Sequence, residues 1–91
     1  MTKKELKKLK ATHYVNSCDY INESTKQKVC EWIEYCYNAK HPQNKDDIEQ
    51  LFTLAYRYID IDKLLPAVLD DAMKKGYWGN RFLNWGVSYG F

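Results

Sequence analysis

Residues 44–59 read NKDDIEQLFTLAYRYI, and this stretch decides the fold. Its apolar residues are Ile48, Leu51, Phe52, Ala55, Tyr58 and Ile59, which recur at i, i+3, i+4, i+7, i+10 and i+11. That spacing places one face of a helix inward, and the run is too long for an ordinary strand. Asn44 is a suitable N-cap, because its side-chain oxygen accepts from the open N–H groups of the first turn. Asp46 and Asp47 then fall at the positive end of the helix dipole.

The same pattern continues on both sides. Downstream, Asp62 is expected to cap a helix running to Lys75, with Pro66 near its first turn, where a missing N–H costs least. Leu65, Val68, Leu69 and Ala72 form its buried stripe, with Leu64 and Met73 at the margins. Lys74 and Lys75 suit the negative C-terminal end, and Gly76 suits the left-handed position just beyond it. Upstream, Ser24 and Gln27 form a capping box for a helix to about Asn38, whose inner face is Val29, Trp32, Ile33 and Cys36. The His41-Pro42 pair stops it, since the residue before proline is pushed out of helical space.

The ends carry weaker signals. Thr2 and Glu5 form a second capping box, but Leu6, Leu9 and Ala11 make a narrow stripe, so residues 1–12 read as a basic, frayed helical arm. Residues 13–22 read as a connector, or a short strand around Tyr14 and Val15. At the other end, Asn80 suits the cap of a short helix through Trp85, closed by Gly86. All four glycines lie in the last sixteen residues, which argues against β-hairpins in the rest of the chain. The expected architecture is all-α: a small bundle of four to five helices with an aromatic C-terminal tail. Residues 13–91 then form a single domain behind the arm. The tail, with Tyr77, Trp78, Phe82, Trp85, Tyr89 and Phe91, is expected to cover a core that is small for a chain of 91 residues. Deleting residues 77–91 should then abolish the cooperative melt, whereas a retained melt would mark the tail as a recognition element.

Composition narrows the class. With 45% hydrophobic and 15% aromatic residues the chain is too apolar for intrinsic disorder. It has no apolar run near the roughly 20 residues of a membrane span, and its lysine-rich start lacks a secretory apolar core. A cytoplasmic protein without membrane contact is expected. Cys18, Cys30 and Cys36, odd in number and widely spaced, read as reduced thiols rather than a disulfide framework.

Catalytic and metal signatures are poor. Cys18, Cys30, Cys36, His13 and His41 lack the close pairs of a structural zinc site, and small buried hydrophobes are the plainer reading for the thiols. Phosphate-loop, nucleophile-elbow and zinc-protease patterns are missing from the sequence. Asp46-Asp47 and Asp70-Asp71 are adjacent on helices, so each pair diverges by about 100° instead of converging on one proton. No enzyme activity, catalytic residue, metal or cofactor is expected.

Charge gives the functional candidates. The net charge of +2 resolves into three zones. Residues 1–10 carry Lys3, Lys4, Lys7, Lys8 and Lys10 against Glu5 alone. Residues 46–71 hold seven acids against Arg57 and Lys63, and residues 72–91 hold Lys74, Lys75 and Arg81 with no acid. Lys3, Lys4, Lys7 and Lys8 are candidates for phosphate contact, with a solubilising arm as the bland alternative. Lys74, Lys75, Tyr77, Trp78 and Arg81 interleave cations with rings, as single-stranded nucleic acid requires; the alternative is that the rings are core. Asp46, Asp47, Glu49, Asp70 and Asp71 would steer a basic protein partner, unless they are merely solvated. Surplus aromatic surface also makes a homodimer a candidate.

One family resemblance adds to this. Tyr77, Asn84 and Trp85 fall at the offsets of the Y-x-x-x-I-L-x-N-W motif that closes the C-terminal helical domain of DnaD-type replication-initiation proteins, and Gly90-Phe91 resembles its closing pair. The segment LLPAVLDDAMKKG is similar to the amphipathic helix before that motif, and INESTKQKVCEWIEY to the helix that opens the domain. Arg81-Phe82 replaces the Ile-Leu pair, and Gly90 comes one residue late. The resemblance spans residues 21–91. It implies a non-enzymatic helical module of the DNA replication machinery that contacts DNA or a replication protein. Without the winged-helix domain usual in such proteins, a stand-alone module from a phage or mobile element is expected. The alternative is an adaptor, or an inhibitor of a nucleic-acid enzyme, acting through the acidic helical surface.

Overall fold

The computed structural model describes residues 2–58 and 61–76. Four helices follow one another: α1 (Lys3–Ser17), α2 (Glu23–Asn38), α3 (Lys45–Tyr58) and α4 (Ile61–Lys75). Among the described residues there is no strand, and no helix is long and apolar enough to cross a membrane. The expected small all-α bundle is the fold. The short helix expected from Asn80 and the aromatic tail lie outside the described residues, as does the tail's expected cover over the core.

Helix α2 is the central element, flanked by α1 and α4. Lys8 meets Glu34, and Asn16 lies near Lys26 and Cys30, so α1 runs antiparallel to α2. Asp62 meets Thr25 and Asp70 meets Lys28, so α4 starts at the same end as α2. Helix α3 packs on α1 and α4. The core joins Val29, Trp32, Ile33 and Cys36 of α2 to Ile48, Leu51, Phe52 and Ala55 of α3 and to Leu65, Val68, Leu69 and Ala72 of α4. These are the inner faces that the 3.6-residue periodicity marks. Tyr58 and Ile59, expected on the same face of α3, have no described side-chain placement.

Several local expectations are corrected. Residues 13–17 are neither connector nor strand; they complete α1, which therefore crosses the expected boundary after residue 12. The reason is tertiary: Ala11 and Val15 are fully buried, and Cys18 and Ile21 continue the same core contact past the helix end. Burial of that kind outweighs the modest helix propensity of His13, Tyr14 and Val15. Helix α2 is capped by Asn22 rather than Ser24, with Asn22 Oδ1 accepting from the Thr25 N–H at 2.9 Å and the Ser24 hydroxyl at 3.0 Å. Asp62 lies inside the first turn of α4 and serves another helix. Its Oδ1 accepts from the Asn22 N–H at 3.0 Å and from the Thr25 hydroxyl at 3.1 Å.

Other ends form as expected. Asn44 Oδ1 accepts from the Asp47 N–H at 2.8 Å, and Asp47 Oδ2 returns to the Asn44 N–H at 3.0 Å. Thr2 accepts from the Glu5 N–H, and Gly76 adopts a φ of 79° behind α4. Helix α2 ends in a Schellman motif: the His41 N–H reaches the Cys36 carbonyl and the Lys40 N–H reaches that of Tyr37. Its left-handed residue is Lys40, with a φ of 67°, where glycine is the usual occupant.

Candidate nucleic-acid interface

Because α1 continues to Ser17, its lysines acquire a fixed geometry. Lys3, Lys7, Lys10 and Tyr14 stand at i, i+4, i+7 and i+11, so they form one line along the helix. At a rise of 1.5 Å per residue the lysines are about 6 and 4.5 Å apart along the axis. Lys45, the first residue of α3, extends the line, its Nζ standing 5.7 Å from the centre of the Tyr14 ring. Lys3, Lys4, Lys7, Lys10 and Lys45 are exposed. None of these five makes an ion pair among the described residues.

Lys8 points elsewhere. Its Nζ lies 2.7 Å from Glu34 and 4.7 Å from the centre of the Tyr37 ring. The hydrogen bond to Glu34 raises its pKa above the ordinary lysine value, so this tie between α1 and α2 persists until strongly alkaline pH. Lys8 belongs to the helix packing, apart from the outer row.

Beside the row, Leu9, Lys10, His13, Tyr14, Ser17 and Lys45 line an open groove of about 520 Å³. Leu9 is 49% exposed and its neighbour Leu6 is 44% exposed, an apolar strip on the solvent side of α1. The Tyr14 ring forms part of the groove wall and stacks on Phe52 with centroids 6.0 Å apart. The Ser17 hydroxyl donates to the Tyr14 carbonyl at 2.8 Å, leaving its lone pairs as acceptors. Among the described residues the lining holds no carboxylate.

The other sequence candidates fall differently. Lys74 pairs with Asp70 at 3.5 Å and Lys75 with Asp71 at 3.0 Å, both one helical turn apart. Asp70 also meets Lys28 at 3.5 Å. Thus two candidate cations and two candidate acids partly neutralise one another on α4. Asp47 is engaged at the α3 cap, while Asp46 and Glu49 are exposed on that helix. Tyr77, Trp78 and Arg81 lie outside the described residues. The candidate acids thus lie at the start of α3 and near the end of α4, where those on α4 are paired with lysines.

The thiols form no reactive group. Cys18 and Cys36 are buried, and burial pushes the pKa of half-buried Cys30 upward, which disfavours the nucleophilic thiolate. Among the described residues no three His, Cys, Asp or Glu side chains converge as a metal site.

The row and groove include Leu9, Lys10, His13, Tyr14 and Lys45, which do not stand out singly in the sequence. The signal is the helical period of the lysines carried four residues further, to Tyr14. Comparison with known proteins finds no matching family model, no matching curated protein and no matching solved structure. The DnaD resemblance thus rests on its own residues, of which Tyr77, Asn84 and Trp85 lie outside the described part.

Proposed function

We propose that this chain is a non-enzymatic helical module that contacts DNA through α1. The observation that carries this reading is the line of exposed cations Lys3, Lys7 and Lys10 on a helix whose inner side is anchored by Ala11 and Val15, extended by Lys45 at the start of α3. Lysines held along one direction can engage successive phosphates and release counterions, whereas lysines on a frayed arm lose more entropy on binding. The reading places the module in DNA replication machinery, supported by the DnaD resemblance over residues 21–91. Phosphate contact of this kind positions a nucleic acid without reading its sequence.

The test is binding of labelled DNA across a salt series. Binding is expected at low salt, weakening on a log–log plot with a slope of about −0.7 to −0.9 per phosphate contacted. Changing Lys3, Lys7, Lys10 and Lys45 together to alanine should flatten that slope by roughly three. Changing Lys74 and Lys75 should do much less, because Asp70 and Asp71 already hold them. No binding at low salt, or a slope unaffected by the fourfold change, overturns the proposal.

A further inference from the structure

We infer that the groove between α1 and the start of α3 receives an unpaired base of a single-stranded nucleic acid. The inference rests on the reading that α1 contacts phosphates, and it specifies the form of nucleic acid. A lysine row alone attracts duplex and single strand alike, because phosphate charge is common to both. The groove is what distinguishes them: a base stacked in a duplex cannot enter it, whereas a base of a single strand is available to stack on a side chain.

The groove suits such a base in size and chemistry. Its volume of about 520 Å³ lies within the roughly 300–1,000 Å³ typical of small-ligand sites. Leu9 and the Tyr14 ring supply apolar wall, and the exposed His13 imidazole supplies a second ring. The Ser17 hydroxyl offers an acceptor for an N–H at the base edge, such as thymine N3–H. Lys10 and Lys45 belong to both the groove lining and the cation row, so a strand following the row brings its bases to the groove mouth. The lack of any carboxylate in the described lining fits a polyanion.

Binding of a short labelled oligothymidylate and of a duplex of the same length, at one salt concentration, tests the inference. The single strand is expected to bind about five-fold or more tightly than the duplex, in line with one stacked base. Leu9→Ser and His13→Ala, both at exposed positions, should each weaken oligothymidylate binding several-fold, leaving duplex affinity and the salt slope unchanged. The thermal melt of each variant should match the parent, which separates loss of the groove from loss of fold.

Equal affinity for the two nucleic acids, or groove variants that bind as the parent does, overturns the single-strand inference while leaving lysine-dependent phosphate contact intact. If neither nucleic acid binds at low salt, both readings are overturned. An acidic amphipathic Leu/Glu peptide that binds with Leu9 and His13 dependence, and that oligothymidylate does not displace, assigns the groove to a protein segment and also overturns the inference.

Discussion

Lys40 occupies the left-handed position of the α2 Schellman motif, a conformation that costs a non-glycine residue roughly 1–2 kcal/mol. Lys40→Gly removes that cost but gives the unfolded chain more freedom, so a net stabilisation of about 0.5–1 kcal/mol is expected. A rise in the thermal midpoint checks it. Tyr20 gives a pH prediction at the same scale. Partial desolvation of this half-exposed ring first, then hydrogen bonds with Tyr14 and Cys18, hold its phenol pKa above the ordinary value of 10.0. The folded state therefore prefers the neutral phenol, and the unfolded chain loses this proton first as pH rises. The associated stability is complete below about pH 10 and is lost as pH rises beyond it. Tyr20→Phe should flatten the alkaline fall in stability, measured as denaturation midpoints at increasing pH. Both features were hidden in the sequence, because a lysine before His41-Pro42 and a tyrosine in a connector carry no mark of backbone angle or of hydrogen-bond partners.

At the scale of elements, the inner faces of α2, α3 and α4 were legible because each presents its apolar residues on a single 3.6-residue stripe. The N-terminal ends of α2 and α4 were less legible. Asp62 resembles a cap for its own helix, yet its carboxylate is spent on Asn22 and Thr25 at the start of α2, a pairing 37–40 residues apart in sequence. Asp62→Ala should therefore destabilise the α2–α4 contact by about 1.5–3 kcal/mol, the range for hydrogen bonds to a charged group. A lower denaturant midpoint with unchanged m-value checks it. Helix α1 shows the opposite limitation. Its lysine-rich half looked like a loose arm because Leu6 and Leu9 are its visible apolar residues, and these are the two that stay exposed. Of the residues that dock it, Ala11 is small and Val15 lies where a connector was expected. Recognising the cation row required that docking, because lysines keep a common direction only while the helix is continuous.

At the scale of the molecule, Trp32 is the largest fully buried side chain among the described residues, and it stacks on Tyr35 with centroids 5.6 Å apart. Trp32→Ala should cost about 3–5 kcal/mol, comparable with the total stability of a small domain, so the cooperative thermal transition should be lost or fall steeply. Circular dichroism melting checks this directly. By itself, the sequence determined the helical class, the inner faces of three helices, the Asn44 and Gly76 ends and the basic character of the first ten residues, because periodicity, capping and charge are local properties. Tertiary structure alone decided that α1 continues to Ser17 and docks, that Asp70 and Asp71 hold Lys74 and Lys75, and that Lys45 joins the α1 row beside a groove. The physical reason is that burial and charge pairing depend on which helices meet, and those contacts join residues that no local pattern connects.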